Sequence, residues 1–254
     1  MGFNEDLKSL KKTSSIAEAM EKAREMIKEL AKLKAEDKGK LPDPLRYPGR
    51  GQKGELWFRN RLFWLRTIPL DGDSAFIATH SEPSASQSDR RGRCPSDLLG
   101  LFRGKIDNSI TTALAIAELK AGGKGDHLIY AVMQASRNAV LQEKGLERLA
   151  KGWKKNVTSK KGKGEGELPF WNRVWGKGNP FGKLSEGVVV VLIIGDKPWF
   201  DAQKKYLEPV CELRKELKEL KEKIPLLHIL FYQLADNAKH DSKPYALLPL
   251  GRIE

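Results

Sequence analysis

Asp97, Glu118 and Lys120 are the residues of this chain whose types and spacing could do chemistry together. They stand in the runs Pro95-Ser96-Asp97 and Glu118-Leu119-Lys120. Two carboxylates and an ammonium are the groups that can bind a divalent metal against a phosphodiester. A hard cation takes oxygen ligands and keeps several of its waters. It makes a bound water more acidic and neutralises charge growing on the phosphate, and a lysine beside it stabilises the same charge. The three side chains must converge for this, and the sequence supplies a way. Asp97 to Phe102 reads as one strand and Thr111 to Lys120 as a second, with Gly104 to Ser109 between them. The Asp107-Asn108 pair is good turn chemistry. A regular hairpin centred on that pair puts Asp97 directly across from Glu118, where cross-strand side chains are neighbours. Period two then places Glu118 and Lys120 on one face, above Leu114 and Ile116. Asp107 also precedes Glu118 and competes as the first acid, but the same count leaves it at the turn. A β-bulge in either strand would break this register.

The elements that must carry the hairpin surround it. A chain of 254 residues fits one large domain, or a domain with an appendage, and can bury a substantial core. Ser15-Ile16-Ala17-Glu18 is a capping box that opens a helix to about Lys38. Its apolar residues Ile16, Ala19, Ala23, Met26, Leu30 and Leu33 have seam spacing. Such a stripe docks on the chain's own core or on a second copy as a dimer arm. Leu41-Pro42-Asp43-Pro44 and Tyr47-Pro48-Gly49 form a stiff linker. A second helix starts near Gly54-Glu55 and continues through Trp57, Phe58, Leu62 and Leu65, before a short strand Ala75 to Ala78. Past the hairpin a helix begins at Asp126, with Leu128, Ala131, Val132, Ala135, Ala139 and Leu146 on its apolar face. Gly187 to Ile194 reads as a strand whose continuous apolar run, Val188 to Ile194, suits the middle of a sheet covered on both faces. A charged helix from about Phe200 to Lys223 and a strand Leu226 to Tyr232 follow. The order predicts an α/β sandwich carrying a meander of three strands.

This order, with the two motif runs on its strands, resembles the PD-(D/E)XK nuclease superfamily over roughly Gly54 to Gly195. The resemblance implies a restriction-endonuclease-like αβββαβ core, its mixed sheet flanked by helices, with an N-terminal helical extension. Residues 1–44 are then the N-terminal helix and linker, and 45–254 the nuclease-like domain with a basic Lys/Trp-rich insertion at 151–184. The resemblance also implies that Asp97 and Glu118, helped by the Leu119 carbonyl, bind Mg²⁺ or Mn²⁺, and that Lys120 orients or activates the attacking water. Glu55 falls where many members carry an acid that supports the metal; a favourable charge on a helix N-terminus accounts for it equally well. Gln134 lies on the helix after the motif, but Asn138 stands where the RecB-like Gln-x-x-x-Tyr pattern needs tyrosine. The plain alternative for Glu118 and Lys120 is an ion pair on a solvated strand end. Ala113 to Ala117 is too apolar for an edge strand, so charges at its end stand out.

The chain carries 46 basic against 33 acidic residues and has a pI near 9.6, which points to a polyanionic partner, most commonly nucleic acid. Lys151, Lys154, Lys155, Lys160, Lys161 and Lys163 form an acid-free stretch with Trp153 among them and Trp171, Arg173, Trp175 and Lys177 beyond. Such lysines neutralise phosphates without reading sequence. Tryptophans could stack on unpaired bases, although anchoring in the core is the commoner job for Trp171 and Trp175. Arg90, Arg91 and Arg93 lie just before Asp97 and are expected to flank the scissile phosphate. Two cysteines far apart and four scattered histidines argue against a disulfide framework and a zinc site. Gly176 to Lys183 lacks the glycine spacing of a phosphate loop, and no Gly-x-Ser-x-Gly or His-Glu-x-x-His run occurs. The N-terminus is polar and acidic, and Val188 to Ile194 is too short to span a bilayer. The expectation is a cytoplasmic, Mg²⁺- or Mn²⁺-dependent endonuclease acting on double-stranded DNA, away from membranes, with a homodimer favoured for cutting both strands. The alternatives are a nucleic-acid-binding protein whose acids are incidental, and an RNA-cleaving member of the same fold.

Overall fold

The computed structural model describes residues 3–34, 59, 62, 67–70, 74–81, 96–106, 109–122, 126–145, 184–234 and 247–249. Among them the strands are β1 (Thr67–Pro69), β2 (Ala75–Ser81), β3 (Leu98–Ile106), β4 (Ser109–Lys120), β5 (Val188–Gly195), β6 (Leu226–Leu234) and β7 (Leu247–Pro249), in one sheet that follows chain order. β1 to β4 are antiparallel neighbours, β4, β5 and β6 are parallel, and β7 returns antiparallel. The helices are α1 (Phe3–Lys11), α2 (Ile16–Leu30), α3 (Leu128–Lys144), α4 (Lys197–Gln203) and α5 (Leu207–Glu219), and all five pack on one face of the sheet. Leu99, Leu114, Ile116, Val189, Val191 and Ile193 meet them there. On the other face Ala115, Ala117, Leu119, Val190, Leu192 and Ile194 meet Leu62, Ile68, Phe76, Leu98 and Phe102. β5 therefore alternates between two cores, as its unbroken apolar run predicts. The α/β class and the mixed sheet flanked by helices are as expected.

β3 and β4 pair without a shift from Leu98 against Ala117 to Ile106 against Ser109. That is the register of a hairpin centred on Asp107-Asn108, a pair outside the described residues. Both strands run closer to the turn than expected. Asp97 itself is a bend immediately before β3, rather than its first residue. The irregularity falls in β2, between Ala78 and His80, and lets that strand run on to Ser81. A Cβ at Gly100 would collide with the Ile77 carbonyl, so glycine permits the close approach of β3 to β2.

Several element boundaries differ from expectation. α1 was not foreseen; Leu7 and Leu10, three apart, bury fully and hold it down. α2 begins as predicted, the Ser15 hydroxyl accepting from the Glu18 N–H at 3.2 Å, but ends at Leu30 instead of Lys38. A turn there carries Leu33 onto the core, and Lys144 of α3 donates to the Leu33 carbonyl at 2.7 Å, tying the segment after the helix to α3. Ala19, Ala23, Met26 and Leu30 are buried in the chain's own core beside α3 and α5 residues, so the stripe is not a dimer arm. The helix expected from Asp126 starts at Leu128, capped by His127. The single helix expected from Phe200 to Lys223 is α4, a 3₁₀ turn at Lys204–Tyr206, and α5. Pro209 explains the break, since it has no N–H and its ring would clash with the carbonyl four residues earlier. It sits instead in the first turn of α5, where no intrahelical donor is needed.

Candidate functional site

The next position beyond the Leu98–Ala117 pair sets Asp97 against Glu118. β3 has ended there, so the Leu119 N–H lacks a strand partner and donates to Asp97 Oδ2 at 2.8 Å. N–H and C=O of one strand residue point to the same side, so the Leu119 carbonyl shares that edge with Asp97. Its side chain goes to the opposite face and packs in the second core. Glu118 and Lys120 lie on the helix-covered face in line with Leu114 and Ile116. Lys120 Nζ donates to Glu118 Oε1 at 2.9 Å, with only 5% and 2% of the two side chains exposed. The alternative of a solvated surface pair does not describe this geometry. Asp97 is 13% exposed, and Arg59 Nη1 approaches its Oδ1 to 3.7 Å.

Residues that the sequence did not single out complete the surroundings. Asp126, just before α3, lies 3.8 Å from Lys120 Nζ through Oδ2 and 2.8 Å from Lys11 Nζ through Oδ1. Its carbonyl accepts from Trp199 Nε1 at 3.0 Å. Asp196 ends β5 and holds the same corner from the other side. Its N–H donates to the Lys120 carbonyl at 3.2 Å, and its carboxylate accepts from Gly122 N at 3.1 and 2.9 Å while capping α4 at Trp199 N, 2.9 Å away. Gly195 makes room, because a Cβ there would sit 2.7 Å from the Trp199 ring. His127 caps α3 by accepting from Tyr130 N at its Nδ1, 3.1 Å, so its proton is on Nε2, which points at the Leu10 carbonyl 3.0 Å away. Burial pushes the His127 pKa down, against the upward pulls of the Leu10 carbonyl and Asp126. A signal for Asp196 was present, since it stands immediately ahead of a helix with a proline in its first turn, where capping acids belong, whereas Asp126 precedes the cap His127 by one residue. Their convergence on Lys120 was not readable without the fold.

The described residues that could hold a hard cation are Asp97, Glu118 and the Leu119 carbonyl. Among the described residues no three His, Cys, Asp or Glu side chains gather as a metal-holding group. A two-carboxylate set suits Mg²⁺, which is commonly held by one or two carboxylates and keeps waters. Gln134 is buried on α3, and Asn138, one turn on, accepts from Arg137 Nη1 at 2.9 Å. Glu55, Arg90, Arg91, Arg93, Lys151, Lys154, Lys155, Lys160, Lys161 and Lys163 lie outside the described residues. None of the described helices is long and apolar enough to cross a membrane. No protein-family model, no curated protein and no solved structure matches this chain.

Proposed function

We propose that the chain is a metal-dependent nuclease of the PD-(D/E)XK type that hydrolyses DNA phosphodiester bonds as an endonuclease. The observation that carries the reading is the buried Glu118–Lys120 pair at the end of an unbulged hairpin, directly across from Asp97. Asp97, Glu118 and the Leu119 carbonyl would hold Mg²⁺ or Mn²⁺. When bound, the cation supplies a more acidic water and positive charge for the phosphate. Lys120 presents an ammonium shielded from bulk water, where its attraction for a phosphate oxygen is stronger than at a solvated surface. The Leu119 N–H fixes the Asp97 carboxylate through Oδ2, while Arg59 Nη1 lies 3.7 Å from Oδ1. In this reading Arg90, Arg91 and Arg93 flank the scissile phosphate, the lysines from Lys151 to Lys163 clamp the backbone, and Glu55 supports the metal. Double-stranded DNA as substrate, the αβββαβ core and a homodimer extend the same resemblance. A dimer would use a surface other than the apolar stripe of α2.

The test is incubation of linear and circular DNA, and of RNA, with Mg²⁺ or Mn²⁺, comparing wild type with Lys120→Ala. Cleavage of circular DNA that Lys120→Ala loses is the expected result. Absence of metal-dependent cleavage of any of these substrates sinks the proposal. One observation favours a second reading, a nucleic-acid binder without catalysis. Asp97 has Arg59 beside it and Glu118 has Lys120, so the cluster is charge-compensated without a metal. Asp97→Ala separates the two. A nuclease loses cleavage and keeps or gains affinity as a phosphate-repelling charge goes, whereas a binder has no metal-dependent cleavage to lose.

A further inference from the structure

We infer that Asp126 is a positioning residue for Lys120, through which helix α1 braces the site. The inference rests on the nuclease reading and adds a residue to it. The contacts form an alternating chain from the surface inward: Lys11 to Asp126 at 2.8 Å, Asp126 to Lys120 at 3.8 Å, and Lys120 to Glu118 at 2.9 Å. Exposure falls along it, from 54% at Lys11 to 20% at Asp126 and 5% at Lys120. A carboxylate that turns its oxygens to a metal has less to give an ammonium. Glu118 is in that position, and a buried ammonium whose partner withdraws is strongly destabilised. Asp126 Oδ2, 3.8 Å from Lys120 Nζ, is within reach to take it, so Glu118 can serve the metal while Lys120 stays in place.

Asp126 is itself held rigid. Trp199 donates to its carbonyl, Lys11 pairs with its carboxylate, and the following His127 ring is held between the Leu10 carbonyl and the Tyr206 ring, whose centroid is 5.3 Å away. Asp196 ties down Gly122 at the start of the same loop. Partners of this supporting kind commonly change activity by roughly 10- to 100-fold when removed. α1 thus belongs to the working part of the domain.

The test has two arms. In the first, Asp126→Asn is expected to lower kcat by roughly 10- to 100-fold, with affinity for DNA in metal-free buffer unchanged, and Asp126→Glu to recover part of the loss. Turnover at the wild-type rate, or equal losses of turnover and DNA affinity, overturns the inference. The second arm needs no cleavage. Metal-free protein is treated with an amine-reactive ester, and modification of Lys120 is followed by mass spectrometry. Glu118→Gln, which imitates a withdrawn Glu118, should leave Lys120 about as protected as in wild type, and adding Asp126→Asn should speed its modification several-fold. Unchanged modification in the double variant overturns the inference. If wild type cleaves nothing, the nuclease reading fails, and the labelling arm still decides whether Asp126 holds Lys120.

Discussion

Lys120→Met removes the ammonium 2.9 Å from Glu118 and leaves a carboxylate that is 2% exposed. Breaking a buried ion pair from one side costs about 3–5 kcal/mol, because the remaining charge loses that pairing and does not regain water. For a domain of this size each kcal/mol moves the melting temperature by roughly 2–4 °C, so Tm should fall by about 6–20 °C. Glu118→Gln leaves Lys120 with Asp126 at 3.8 Å, and its cost should lie below that range. Glu118→Gln with Lys120→Met removes both charges and should recover much of the loss, with a coupling near the upper end of the roughly 0.5–3 kcal/mol found for contacting residues. Thermal and urea melts of wild type, both single variants and the double variant measure all the terms. Single variants within about 1 kcal/mol of wild type and additive in combination would refute the reasoning. They would show the pair to be worth no more than an exposed one. The same melts guard the cleavage test, since a Lys120 variant unfolded at the assay temperature would lose activity for a trivial reason.

Three more outcomes follow from the local geometry. Asp196→Ala removes the α4 cap and the acceptor for Gly122 N, and should cost about 1–2 kcal/mol in denaturant melts; an unchanged midpoint would contradict the assigned role. Burial lowers the His127 pKa, so the unfolded chain binds the extra proton first as pH falls. Stability from this group is fully present above about pH 6.5 and declines as pH drops from there towards the folded value. His127→Asn keeps a capping side chain and should flatten that part of a Tm–pH curve; an identical slope in the variant would refute the assignment. Gly100→Ala drives a methyl into the Ile77 backbone carbonyl, which cannot yield as a side chain would, and should cost at least about 1–3 kcal/mol in melts.

The hairpin was legible because its register depends on local facts. A turn pair at Asp107-Asn108 and two apolar strands determine which residues face each other, and nothing distant overrides them. β5 was legible for a similar reason, since only a strand covered on both faces carries eight residues like Val188 to Gly195. Arg59, Asp126 and Asp196 were not legible as neighbours of the site. They come from separate parts of the chain, and the contacts of Asp126 and Asp196 are set by how α3, α4 and β5 dock, which periodicity does not encode. α1 leaves little signal in the sequence because a short helix of mixed polarity is marginal alone; Leu7 and Leu10 form it by burying against α2 and α3, a tertiary effect. The split of α4 from α5 was readable in principle from Pro209. The apolar pattern ran through the proline and hid it.

Folding energetics give little reason to keep charges where this chain keeps them. Buried ion pairs are often replaced by apolar residues of similar volume with no loss of stability, or with a gain. Lys11, Asp126, Lys120 and Glu118 alternate in sign from surface to core, and Arg59 and Asp97 sit beside the end of the line. Such an arrangement limits the damage of burying Glu118, but it does not explain why Glu118 is there. Ala113, Ala115 and Ala117 show that β4 packs well with small apolar residues along the opposite face, and Leu114 and Ile116 continue the charged face without difficulty. An apolar pair at positions 118 and 120 would extend either pattern. The double variant Glu118→Gln, Lys120→Met therefore bears on function as well as stability. If it melts at or above wild type, the two charges are held for something they act upon, and the metal-dependent cleavage assay is where that should appear.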